Sequence, residues 1–317
     1  PQSSQYFVGG SGDVSSKSRL VLVNSGLSSS TVDITAFTAQ NNAIDKPVTV
    51  RRNQTVSVSL VSLVPGANET AFLVAPRSGH VSAFLIDERG KGLSSLGGDV
   101  VNSQFALHKT IYIPLVPHQQ KVNATHILRI LNPNMTDANV SAELISTDGR
   151  FVPVGLDGVK TSPGRVQDYS FNVNSNFSVF ALKITSDIPI AASVYSSVKS
   201  TNRRDFVWST ASQNSIGTWA ISGSTPFLAV SGDKINTQVR VLMPGGQNIN
   251  KTLSGNDIVG WQLPANALGI QILRSEKDSS AALLISTSNG TGYVPLVNGS
   301  ALSRSEVPTA NIGVLNP

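Results

Sequence analysis

Short apolar runs alternate with polar positions along most of the chain, as in Arg19-Leu20-Val21-Leu22-Val23-Asn24 and Ile127-Leu128-Arg129-Ile130-Leu131-Asn132. A period of two with turn-forming residues about every eight to twelve positions is the pattern of antiparallel strands in a sandwich or barrel. No window carries a sustained apolar stripe at helical spacing, so little helix is expected.

The pattern repeats. A strand entering a tight turn and leaving it again reads Arg19 to Gly26 followed by Thr31 to Phe37, then Ile127 to Asn134 followed by Ala138 to Leu144. A third copy is read at Gln238 to Gly246 followed by Gln247 to Leu253, with turn residues Asn24, Asn132 and Met243 spaced by 108 and 111 residues. Asn-Ser-Gly, Asn-Pro-Asn and Pro-Gly-Gly all form turns, through positive φ or a preset proline φ. A second strand pair and a strongly apolar closing strand complete each copy: Val81 to Ile86, Ile188 to Tyr195 and Ser280 to Ile285. The fold class expected is all-β, three tandem antiparallel β-sandwich repeats over residues 1–105, 106–215 and 216–317. A short apolar strand opens each copy, and a fourth, Ala310 to Leu315, closes the chain. Four such strands for three units leave two arrangements open, a pseudo-threefold ring without free edges or a linear array.

Composition narrows the chemistry. The 317 residues contain no cysteine, which removes disulfides, thiolate metal sites and a thiol nucleophile. Charged residues make up only 14% and the net charge is +5, too thin a surplus to form a nucleic-acid stripe; the densest basic spots are Arg51-Arg52 and Arg203-Arg204. A mild cationic surface, or a face toward an acidic envelope polymer, fits this balance. The sequence opens at Pro1 without methionine, so a signal peptide or membrane anchor would lie outside it. Nine Asn-x-Ser/Thr sequons, from Asn53 to Asn298, fit the Asn- and Ser-rich composition and matter only if the chain meets a glycosylation machinery.

Catalytic constellations are not assembled by spacing. His80, His108, His118 and His126 lack metal-binding spacing, and His118 and His126 flank a polar loop where solvated side chains are expected. There is no nucleophile elbow, P-loop or calcium loop, and no cofactor or metal is implied. Carboxylates available for glycosidase-type pairing are Asp87, Glu88, Asp99, Asp148, Asp187, Asp205 and Glu276, most in contexts where they cap turns. For ligand binding the candidates are Trp208 with Arg203, Arg204 and Asp205, and Asp87 with Arg89 on a Gly-rich connection. Trp208 either stacks a sugar face or packs between units, whereas Trp219 and Trp261 sit in apolar strands and read as core.

Several segments resemble an actinobacterial cell-envelope family of unknown function. They are Phe7 to Ser11, Val81 to Gly90, Leu93 to Asp99, the Asn132-Pro133 turn with Ala138 to Val140, and Asp205 to Ser209. A single unit also resembles the small β-sandwich of sensory-rhodopsin transducers, through the Asn-Pro turn and Ser186 to Ile190. These resemblances imply an extracytoplasmic module, secreted or anchored by a segment outside this sequence, and the lack of an assembled catalytic motif points to one that works without catalysis. Its partner would be an envelope glycan or an envelope protein such as a glycosyltransferase, with no nucleic acid. The alternatives are a glycan-active enzyme with carboxylates gathered between repeats, and a purely structural spacer.

Overall fold

A computed structural model describes residues 4–40, 43–91, 94–119, 124–200, 203–212, 216–221, 225–288 and 290–297. The described chain is all-β, built almost wholly from antiparallel strands. Its first sheet system contains β1 (Gln5–Val8), β2 (Arg19–Asn24), β3 (Ser30–Thr38), β4 (Ile44–Val50) and β5 (Gln54–Ser59). A one-turn helix α1 (Leu60–Leu63) leads to β6 (Thr70–Ser78), β7 (Ser82–Lys91) and β8 (Ser94–Val101). Two four-stranded sheets result, β1-β6-β3-β4 and β5-β2-β7-β8. The strict alternation of β2 puts Leu20 and Leu22 inward, where they meet Val32, Ile34, Phe72 and Leu85 from both sheets.

The second system runs through β9 (His108–Pro117), β10 (Ala124–Asn132), β11 (Ala138–Ser146), β12 (Gly149–Phe151) and β13 (Val159–Thr161). It continues through β14 (Arg165–Val173), the 22-residue β15 (Val179–Ser200) and β16 (Arg203–Thr210). The first half of β15 lies between β9 and β11, and its second half between β10 and β16. The strand orders β9-β15-β11-β12/β13 and β14-β10-β15-β16 therefore repeat those of the first system, with one bent strand taking the places of β6 and β7.

The third system has β17 (Gly217–Ala220), β18 (Phe227–Leu242), β19 (Asn248–Gln262), β20 (Gly269–Arg274), β21 (Ser280–Ser286) and β22 (Thr291–Pro295). Its ladders give β17-β20-β18-β19 at one end and β19-β18-β21-β22 at the other. The same order appears again, but the third copy is shifted by one strand from the register read in the sequence. Phe227–Ser231, paired with β21 and with Ile258–Gln262, takes the place of β2. Gln238–Leu242, paired with β20 and with Asn248–Thr252, takes the place of β3. The inter-sheet crossings sit at register breaks near Gly232 and at Gly255, with Asp257 at φ 69 beside it, and no proline marks them. Pro244-Gly245-Gly246 turns instead between the equivalents of β3 and β4.

The first two crossings share one device. Asn24 Nδ2 donates to the carbonyls of Ser28 (2.8 Å) and Val50 (2.9 Å), and its Oδ1 accepts the Gly26 N–H at 2.9 Å. Asn132 Nδ2 donates to Thr136 (2.8 Å) and Thr161 (3.0 Å), and its Oδ1 accepts the Asn134 N–H at 3.1 Å. Both side chains are buried and satisfy carbonyls that the ladder leaves free at the crossing. Ser231, at the matching place in the third system, is too short to do this.

Apolar seams join the systems. Val8, Phe37 and Ala71 pack on Leu131, Val166 and Ala191, while Leu115, Ile145 and Val207 pack on Ala229, Ile258 and Tyr293. The expected closing strand, Ala310 to Leu315, lies outside the described residues, as do Leu93 and the sequons at Asn123, Asn289 and Asn298.

Candidate functional site

The last strands of the three systems, β8, β16 and β22, pack against one another. Each is an edge strand whose outward backbone groups need partners. Asp99 on β8 accepts the Trp208 N–H of β16 through Oδ2 at 2.7 Å. One step on, Asp205 of β16 accepts the Thr291 N–H of β22 through Oδ2 at 2.8 Å. The two carboxylates act alike in succession, each covering the free edge of the next unit. Asn102 Nδ2 adds a bond to the Tyr293 carbonyl (3.2 Å), and the Tyr293 hydroxyl donates to the Thr210 carbonyl at 2.7 Å.

Close approach here depends on glycine. Gly97 has φ +114, and a Cβ on it would lie 2.2 Å from Asp205 Oδ1; one on Gly290 would lie 2.7 Å from Asp205 Oδ2. A side chain at either position would force Asp205 out of the junction.

Trp208 is 1% exposed and enters the core of the first system beside Phe7, Val101 and Phe206. Its indole N–H donates to Asp87 Oδ2 at 2.8 Å. Asp87, itself fully buried, also accepts Ser18 Oγ at 2.5 Å and Arg89 Nε at 3.0 Å. The Arg89 guanidinium lies over the rings of Tyr195 (4.7 Å) and Phe206 (5.3 Å), with Trp208 at 5.7 Å. From the second system, the Arg129 guanidinium sits 5.0 Å from the Trp208 ring.

Arg129 ties the first two systems together. Its Nε and Nη2 clamp both Asp168 oxygens at 2.7 and 2.8 Å. Its Nη1 and Nη2 reach into the first system, to the carbonyls of Gly10 (2.8 Å) and Asn68 (3.1 Å). Asp168, its neighbours Asp87 and Glu69, and those bonds hold its proton more tightly than usual despite complete burial.

Of the predicted binding residues, the structure therefore gathers Asp87, Arg89, Asp205 and Trp208 at this junction, with Asp99 added. Arg204 is exposed and stands directly opposite Lys199 across the hairpin; the Arg203 backbone opens β16, and its side chain is outside the described part. Burial of Trp208 assigns it to packing between units, one of the two roles that its position allowed, and leaves no open ring face for a sugar. Trp219 and Trp261 are half-buried against the third core.

Burial pushes the Asp99 carboxyl up to about 8, with Asp205 and Asp87 adding repulsion against the relief from the Trp208 and Val100 N–H groups. The residue keeps some surface at the outer edge of β8, yet its carboxyl is enclosed by the packed β16, and that enclosure governs its proton affinity. Three of the other carboxylates are spent locally. Glu88 pairs with Arg19 at 2.8 Å, Asp187 caps Asn139, and Asp148 accepts Ser175 Oγ at 3.1 Å.

His118 and His126 overturn the expectation of solvated loop histidines. They are 5% and 1% exposed, bonded to each other at 3.3 Å, and packed among Phe171, Phe177 and Phe180. His126 also bonds Ser196 Oγ at 2.8 Å, and burial, reinforced by His118, pulls it down to about 3. The polar loop between them marked neither side chain's direction; His126 lies on an inward position of β10. Among the described residues no group of three or more His, Asp or Glu could hold a metal ion.

Two surface depressions lie away from the junction strands β8, β16 and β22. One of about 420 Å³ is lined by Phe151, Val152, Val154 and Ser170 to Asn172. A second of about 230 Å³ lies along Thr38 to Gln40 and Pro65 to Glu69, where the first system meets β14. Neither Glu69 nor Arg129 was marked by sequence motifs. The available signal for Arg129 was a charge inside the apolar run Ile127 to Leu131, with its partner Asp168 across the ladder.

The chain belongs to the family of unknown function DUF5719, whose model matches residues 1–253. That match ends within β19, so β20 to β22 lie beyond it. No curated protein matches the chain, and no solved structure matches it.

Proposed function

We propose that this chain is a non-catalytic binding or scaffold module of a bacterial cell envelope, acting outside the cytoplasm on an envelope glycan or an envelope protein such as a glycosyltransferase. The observation that carries the reading is the junction: Asp87, Asp99, Asp205 and Trp208 are used to bind three sandwich units into one body. Units tied edge to edge in this way suit presentation and recognition. The envelope placement rests on the resembling segments around Phe7 to Ser11, Val81 to Gly90 and Asp205 to Ser209.

The test is a binding screen of the purified chain against envelope polysaccharides and detergent-solubilised envelope proteins. Saturable binding to either, with the ligand recovered unchanged, is expected. Turnover of a glycan or ester abolished by a point substitution would overturn the reading, as would failure to bind both classes.

A further inference from the structure

The depression beside β14 has a chemical character that the junction lacks. It is lined by Thr38 to Gln40 and Pro65 to Glu69, so that Pro65 and Ala67 are its apolar members, Asn68 an amide and Glu69 its one carboxylate. Glu69 makes no ion pair among the described residues. The guanidinium that acts on it, Arg129, is already taken by Asp168 and by the carbonyls of Gly10 and Asn68. Burial and the Asp168 carboxylate both oppose ionisation of Glu69, only partly offset by Arg129 and the Asp168 N–H. A half-buried carboxyl that lines an open depression and makes no ion pair among the described residues is a place where a ligand cation gains.

We propose that this depression binds the primary ammonium of an amino sugar, with Glu69 as counter-ion, Asn68 bonding a ring hydroxyl, and Pro65 and Ala67 against the apolar face of the ring. The inference rests on the reading of the chain as a glycan-binding module. A neutral sugar would leave the Glu69 charge uncompensated, and an acetylated amine would lose the ion pair, so discrimination by the free amine is the signature. A volume of about 230 Å³ limits the site to one sugar ring.

The experiment is an NMR titration of the whole chain with glucosamine, N-acetylglucosamine, glucose and lysine amide, repeated with Glu69→Gln. Saturable shifts at Asn68 and Ala67 with glucosamine are expected, with at least tenfold weaker response to N-acetylglucosamine, glucose and lysine amide. Glu69→Gln should weaken glucosamine at least tenfold while keeping the spectrum of the folded chain elsewhere. Lysine amide binding as well as glucosamine would overturn the sugar assignment, and equal binding of the acetylated sugar would overturn the role of Glu69. Should Glu69→Gln fail to fold, Asn68→Ala, expected to cost several-fold in affinity, takes its place, and unchanged affinity overturns the site. Binding of an envelope polysaccharide that Glu69→Gln leaves intact would remove this site and leave the module reading standing.

Discussion

Replacing Asp99 by asparagine should make the protein more stable at neutral and alkaline pH, because the junction holds that carboxyl in a place that favours its protonated form. In the folded chain Asp99 titrates at about 8, against about 3.9 in an unfolded one. Between those values the unfolded chain releases a proton that the folded chain keeps. Stability therefore falls as pH rises through this window and levels off above it. The whole gap of about four units corresponds to ~5 kcal/mol, and solvent at the outer edge of β8 screens much of it, leaving about 2 kcal/mol. The Asp99→Asn variant would keep a side-chain oxygen for the Trp208 N–H and carry no charge there, so the loss should vanish. Urea unfolding followed by tryptophan fluorescence from pH 5 to 9 reads both proteins directly. The wild type is expected to lose about 2 kcal/mol across the range and the variant to stay nearly flat. A wild-type stability that does not fall with pH, or a variant less stable than wild type at pH 8, would refute the buried placement of Asp99.

Further outcomes follow from other contacts. Arg129→Met strands Asp168 and three carbonyls between units, and should cost about 3–5 kcal/mol, read as a lower urea midpoint with the first system unfolding separately. Asn24→Ala leaves two crossing carbonyls unbonded and Asn132→Ala three, and each should cost about 1–3 kcal/mol, measured by the same unfolding curves. His126, held down to about 3 against about 6.5 when unfolded, contributes stability that is lost as pH falls between those values. His126→Phe should flatten that acid limb, which thermal melts from pH 3 to 7 would show.

Strand content was legible because period-two burial is a local property, plain in β2 with its alternating Leu20 and Leu22. The turns at Asn24 and Asn132 were legible, but the change of sheet there was not, since each side chain also bonds a distant carbonyl, that of Val50 or Thr161. The third copy was displaced because its crossings use a break near Gly232 and a bend at Gly255, while the prolines and glycines stand at a different turn. Asp205 and Trp208 could be singled out as charge beside an aromatic, and Asp87 with Arg89 on a Gly-rich stretch, but their burial depends on β8, β16 and β22 meeting, a relation between residues about a hundred positions apart. His118 and His126 show the same limit: only the aromatic cluster of Phe171, Phe177 and Phe180, drawn from separate elements, decides that they face inward.

The claim at the centre of this account is recognition without turnover. Isothermal titration of the intact chain with an envelope polysaccharide fraction, with the ligand recovered and sized afterwards, tests it most directly. Saturable heat and a ligand of unchanged length are predicted; a shortened or chemically altered ligand would contradict the account.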